Sequence, residues 1–139
     1  MNGRTFKRLG EQVSGAIEGK ADAPPAERLI LIAKAYLAFA AENPRLWPAV
    51  FNVEMTADSD VPEWYLAEMR RLFQIITLPL SELDPKATQS DLDLRTRALF
   101  SSIHGVVLLG LERRISGVPV DRIEGMIEYL LKSFASGTA

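Results

Sequence analysis

The stretch Arg97–Arg114, RALFSSIHGVVLLGLERR, holds the chain's one histidine and sets a glycine directly behind it inside an apolar run. On a helical wheel Ala98, Ser101, Ser102 and Gly105 fall at i, i+3, i+4 and i+7, a stripe of small side chains that another helix can approach closely. Glycine inside a helix costs about 1 kcal/mol relative to alanine, so Gly105 points to a position where even a methyl group is in the way. A neighbouring face carries Phe100, His104, Val107, Leu108 and Leu111, while Leu99, Ile103 and Val106 fill much of what remains. The spacing predicts a helix with no water-facing side through its middle. Such a helix must be buried all round, which a small domain struggles to achieve alone, so a second chain is expected to cover part of it.

Working outward, apolar residues recur at helical spacing almost everywhere and no alternating run is bounded by hairpin turns. The fold class read from this is all-α, a single helical-bundle domain of five to six helices over residues 1–139. Phe6, Leu9, Val13 and Ile17 mark a first helix that ends near Gly19. Pro24 and Pro25 stand where a second can begin, and Leu29, Ile32, Ala33, Tyr36, Leu37, Phe39 and Ala40 form its broad apolar face up to Pro44. A brief helix with Pro48 in its first turn carries Leu46, Trp47, Val50 and Phe51. Asp60 is the expected N-cap of the next helix, which bears Trp64, Met69, Leu72, Phe73 and Ile76 and fades near Pro79. Ser90 or Asp91 is expected to cap the long helix, which runs to about Ile115. Ile123, Met126, Ile127, Leu130, Leu131 and Phe134 stripe a final helix.

Composition narrows the function classes. Of 139 residues 47% are hydrophobic and 24% charged, as in ordinary globular domains. A net charge of -2 provides no global positive field toward nucleic acid or an anionic membrane. The absence of cysteine removes disulfides, thiolate nucleophiles and sulfur-ligated zinc, and fits a cytoplasmic location. No window approaches the roughly 18 apolar residues that cross a bilayer.

Little in the chain resembles catalytic chemistry. Ser101 and Ser102 lie near His104, but no nucleophile elbow, orienting acid or oxyanion hole accompanies them, so no enzyme is expected. With one histidine and no carboxylate three or four residues from it, a metal site is not expected either, nor any cofactor. Glu54, Asp58, Asp60 and Glu63 read as loop solvation or capping, and the pairs Arg70-Arg71 and Arg113-Arg114 as solvated helix faces. Tyr36, Phe39, Trp47, Phe51, Met55, Met69, Phe73 and Phe100 are numerous enough to line a cavity, although such residues at helical spacing also build plain core. His104 reads equally as a polar anchor in that cavity or as a buried histidine satisfied locally.

The segment LFSSIHGVVLLGLERR, with an aromatic four residues before His-Gly, resembles the Trp-x-x-x-His-Gly helix of a subgroup of TetR-type transcriptional repressors, Phe100 standing in place of the Trp. AERLILIAKAYLAFAAENPRLWPAVF is similar to the segment that precedes it in that group, and order and spacing match over residues 5–136. The resemblance implies the C-terminal effector-binding and dimerisation domain, without the helix-turn-helix that reads DNA. It implies a homodimer whose long and last helices form a four-helix interface, here Ser101, Ser102, Gly105 and Leu109 with Ile123, Ile127, Leu130 and Phe134. It further implies a small apolar or amphipathic effector held by Tyr36, Phe39, Trp47, Phe51, Met69, Phe73, Phe100 and His104. On this reading the chain alone binds neither nucleic acid nor membrane. The other reading the residues allow is a helical protein–protein interaction module with a solid core.

Overall fold

The computed structural model describes residues 3–45 and 62–137. They form α1 (Gly3–Ala16), α2 (Pro25–Glu42), α3 (Glu63–Leu83), α4 (Gln89–Leu111), a 3-10 turn at Val120–Arg122 and α5 (Ile123–Gly137), with no strand among them. The fold is all-helical, as the periodicity predicts. The expected brief helix around Trp47 and Phe51, and Asp60, lie outside the described residues.

Helix α2 occupies the centre, touching α1, α3, α4 and α5. Leu29, Ile30, Ile32, Ala33, Tyr36, Phe39 and Ala40 are all buried along it, a face too broad for a helix with one neighbour. Asn43 ends it by donating from both its backbone N–H and its side-chain amide to the Phe39 carbonyl, just ahead of Pro44. Around it, α1 contributes Phe6, Leu9 and Val13, and Phe6 meets Tyr65 of α3 edge-on with ring centroids 5.2 Å apart. Burial on this scale contributes roughly 1.5–3 kcal/mol for each large side chain.

Helix boundaries depart from the sequence reading where local chemistry gives no warning. Pro62, not Asp60, holds the N-cap position of α3. The helix then passes through Pro79 to Leu83, although proline removes one ladder bond and crowds the preceding turn, costing about 3 kcal/mol. Packing offsets this, because Ile76, Pro79 and Leu80 are buried together. The Thr77 hydroxyl donates to the Phe73 carbonyl at 2.8 Å and accepts from the Thr96 hydroxyl of α4 at 2.9 Å, tying the two helices beside the break.

Thr88, rather than Ser90 or Asp91, caps α4. Its hydroxyl accepts from the Asp91 backbone N–H, and the Asp91 carboxylate accepts from the Thr88 N–H, a reciprocal capping box. Those bonds hold the Asp91 carboxyl below its ordinary pKa. The far end closes at Leu111, four residues before Ile115, because Arg113 adopts φ 54° and the N–H groups of Arg113 and Arg114 turn back to the carbonyls of Gly110 and Leu109. This left-handed position ordinarily takes glycine, which is why the sequence gives no stop signal there.

The long helix is not buried all round within the protomer. Leu92, Thr96, Ile103, Val107 and Gly110 form its buried stripe, while Ser101, Ser102 and Leu109 face outward. The last helix turns Ile123, Ile127 and Leu131 inward, each about 1% exposed or less. Ile123 and Ile127, assigned to a dimer face by resemblance, therefore belong to the protomer's own core; the i, i+4, i+8 row that they start is the one α2 and α4 cover.

Two glycine-related substitutions test this packing. A β-carbon at Gly110 would lie 2.5 Å from Ile123 Cδ1 and 2.9 Å from the Val118 carbonyl oxygen, so Gly110→Ala should destabilise by about 1–3 kcal/mol in urea denaturation. Arg113→Gly relieves the left-handed backbone and should stabilise by up to about 1 kcal/mol in the same assay.

Candidate ligand-binding site

Tyr36 on α2 and His104 on α4 meet inside the bundle, with the phenolic oxygen 2.6 Å from His104 Nδ1. When the ring proton sits on Nε2 the hydroxyl donates to Nδ1, and in the other tautomer Nδ1–H donates to the phenolic oxygen. Either way one bond serves two groups in apolar surroundings. Phe100, one turn before His104, stacks against the imidazole with ring planes 9° apart and centroids at 5.7 Å. It also meets Tyr36 edge-on at 5.7 Å and Phe73 of α3 at 5.6 Å. The i, i+4 spacing of Phe100 and His104 places both on the face of α4 turned toward α2 and α3.

Burial pushes the His104 pKa below its ordinary 6.5, so the ring is neutral at pH 7 and stacks as an uncharged heteroaromatic. A neutral imidazole and a phenol supply polar handles without a buried charge, which suits recognition of an uncharged or weakly polar molecule. Beside this group lies an almost wholly apolar cavity of about 40 Å³, walled by Tyr36 and Phe100 with Ile32, Leu72, Ile76 and Ile103 among its aliphatic sides.

Of the eight residues expected at a ligand, the structure joins Tyr36, Phe73, Phe100 and His104 into one cluster. Tyr36 and Phe100 line the cavity, with Phe73 and His104 packed behind them; Phe39 is 1% exposed in the core and Met69 is packed against that core, and neither reaches the cavity wall. Trp47 and Phe51 lie outside the described residues. The aliphatic walls were not singled out from sequence, although Leu29, Ile32, Ala33 and Tyr36 share an i, i+3, i+4, i+7 row that carries them. Aliphatic rows are common to every core, so nothing in their chemistry distinguishes a wall from a filling.

Ser102 donates to the Ala98 carbonyl at 2.9 Å, and Nδ1 of His104 is engaged with Tyr36, an arrangement unlike a nucleophile and its base. Among the described residues no group of three His, Asp or Glu side chains is placed to hold a metal ion, and no helix is long and apolar enough to cross a membrane.

The second surface of interest is the outer face of α4 and α5. Leu109, Met126, Tyr129 and Leu130 are exposed there, and Ser101 and Ser102 lie outward on α4. A β-carbon at Gly105 would meet nothing within 4 Å, so the approach this glycine permits is not made by another helix of the same protomer. Phe134 is half-buried toward the C-terminal end of α5.

Residues 29–134 match the family model described as Tetracyclin repressor-like, C-terminal domain. The chain belongs to that family. No curated protein matches it.

The buried histidine makes stability pH-dependent. Because its folded pKa lies below 6.5, the unfolded chain binds the proton first as pH falls. Its contribution is complete above about pH 6.5 and declines as pH drops toward the lower folded value. Urea midpoints measured from about pH 7.5 to 5 should fall for the native chain, and His104→Gln should flatten that part of the profile.

Proposed function

We propose that this domain senses a small apolar or amphipathic effector and dimerises, acting in the cytoplasm as the effector-binding part of a TetR-like transcriptional repressor. DNA is released in the full regulator when effector binds, and the chain by itself makes no contact with nucleic acid or membrane. The observation that carries the reading is the Tyr36–His104 hydrogen bond of 2.6 Å at the edge of an apolar cavity, beside the aromatic pair Phe73 and Phe100. The family supports it, since the match spans residues 29–134. Apolar walls supply affinity without orientation, and the phenol and imidazole supply orientation.

Dimerisation follows from the exposed apolar side chains on α4 and α5 together with the unoccupied space at Gly105. Ser101, Ser102, Gly105, Leu109, Leu130 and Phe134 are the residues through which we propose two copies meet. A β-carbon at Gly105 meets nothing within the protomer, so the main effect of Gly105→Leu should appear in association. Light scattering at micromolar concentration should give a dimer for the native chain and a monomer of unchanged helicity for Gly105→Leu; a native monomer would remove the assembly from the reading.

A second reading rests on the cavity's size. About 40 Å³ has room for a few water molecules, whereas pockets for small organic ligands span roughly 300–1,000 Å³. A helical interaction module with a nearly solid interior therefore remains the competitor. Titration with a library of hydrophobic compounds separates them: effector binding should alter Trp47 emission much more than that of Trp64, which is exposed at the start of α3. Comparing Trp47→Phe with Trp64→Phe reads the two apart, and a library without any response favours the interaction module.

A further inference from the structure

Away from the Tyr36–His104 cluster, α1, α2 and the second half of α3 enclose a groove of about 270 Å³. Its walls combine apolar side chains such as Ile32 and Leu78 with Ser14, Gln74, Arg28 and Arg71. Arg28 is only 5% exposed, an expensive position for a guanidinium. Its Nε donates to the Ala23 carbonyl at 3.2 Å. Its Nη2 forms an ion pair with Glu82 Oε1 at 2.6 Å. Glu82 itself is 43% exposed, so the anion that faces this buried cation among the described residues is a solvated carboxylate. Arg71 is exposed and has no acidic partner among the described residues, unlike its neighbour Arg70, which pairs with Glu63 at 2.7 Å.

We propose that this groove binds the carboxylate of an amphipathic acid, with its head at Arg28 and Arg71 and its apolar chain along Ile32 and Leu78. Guanidinium forks match a carboxylate in two parallel hydrogen bonds, which an alcohol or amide cannot reproduce. The charge count selects a monoanion: Glu82 answers Arg28, and Arg71 leaves one positive charge over. Leu78, 60% exposed on α3, supplies an uncovered apolar wall for the chain. Gln74, one turn from Arg71 and Leu78, adds a neutral donor between head and tail. The acid would share Arg28 with the Glu82 carboxylate, which makes Glu82 its internal competitor.

Calorimetric titration of the purified chain with octanoate, octanol and octyl phosphate tests the proposal. Octanoate should bind about tenfold or more tightly than octanol, the factor expected for a charge-assisted hydrogen bond. Arg71→Gln, at an exposed site outside the core, should bring octanoate down to the level of octanol. Glu82→Gln should lower the thermal midpoint by breaking the ion pair and yet tighten octanoate, a combination that a purely structural Arg28 does not produce. Tyr36→Phe should leave octanoate binding unchanged. Octanoate no tighter than octanol, or indifferent to Arg71→Gln, overturns the proposal. Octyl phosphate tighter than octanoate overturns the monoanion assignment. Weakening by Tyr36→Phe but not by Arg71→Gln moves the acid to the central cavity and overturns the groove. The effector reading stands apart, because an uncharged effector at Tyr36 is untouched by Arg71→Gln.

Discussion

A helix surrounded by four others has to satisfy its polar side chains within the protein, and that constraint on α2 organises the molecule. Each surrounding helix receives at least one polar tether. Gln12 of α1 reaches the Ala35 carbonyl, Arg28 meets Glu82 of α3, Tyr36 meets His104 of α4, and Lys34 meets Glu128 of α5 at 2.7 Å. The hydrogen bond from Lys34 raises its pKa and lowers that of Glu128, so each stabilises the other's charged form, though at a half-exposed site this adds little to stability. The apolar contacts supply most of the free energy. The tethers fix the rotation of α2 relative to each neighbour, since an apolar face alone tolerates several registers.

Two of those tethers border concave features. The Tyr36–His104 pair edges the central cavity, and Arg28 lines the groove between α1, α2 and α3. Ile32 contributes to both, so the two spaces lie on either side of one α2 side chain. An effector occupying the central cavity must enlarge it by moving helices, because interiors packed at crystal-like density do not yield by compression. Such movement biases a distant partner only to the extent that the effector binds one arrangement better than the other. His104 and Leu109 share α4, so on the proposed reading a shift of α4 at His104 also moves Leu109 on the exposed apolar face.

The sequence alone determined that the chain is helical and that its apolar stripes form one bundle, because a period near 3.6 is a local property repeated in every segment. The residue pattern around His104 also points to the family, and Tyr36, Phe73, Phe100 and His104 stand out in the sequence as aromatic or polar residues at helical spacing. Other features were decided only by tertiary structure. Which helix lies at the centre could not be read from periodicity: the long helix looks as apolar as α2, yet five helices must compete for one interior, and α2 wins it. The run of α3 through Pro79 and the left-handed Arg113 just past the end of α4 violate local preference and persist because packing at Ile76 and Leu80, and the reversal of the chain after Leu111, hold them. Ile123 and Ile127 became core rather than interface because the orientation of α5 depends on what α2 and α4 present to it. The cavity's size was settled last, by how side chains from four helices interlock, and volume left over after packing has no signature in any single segment.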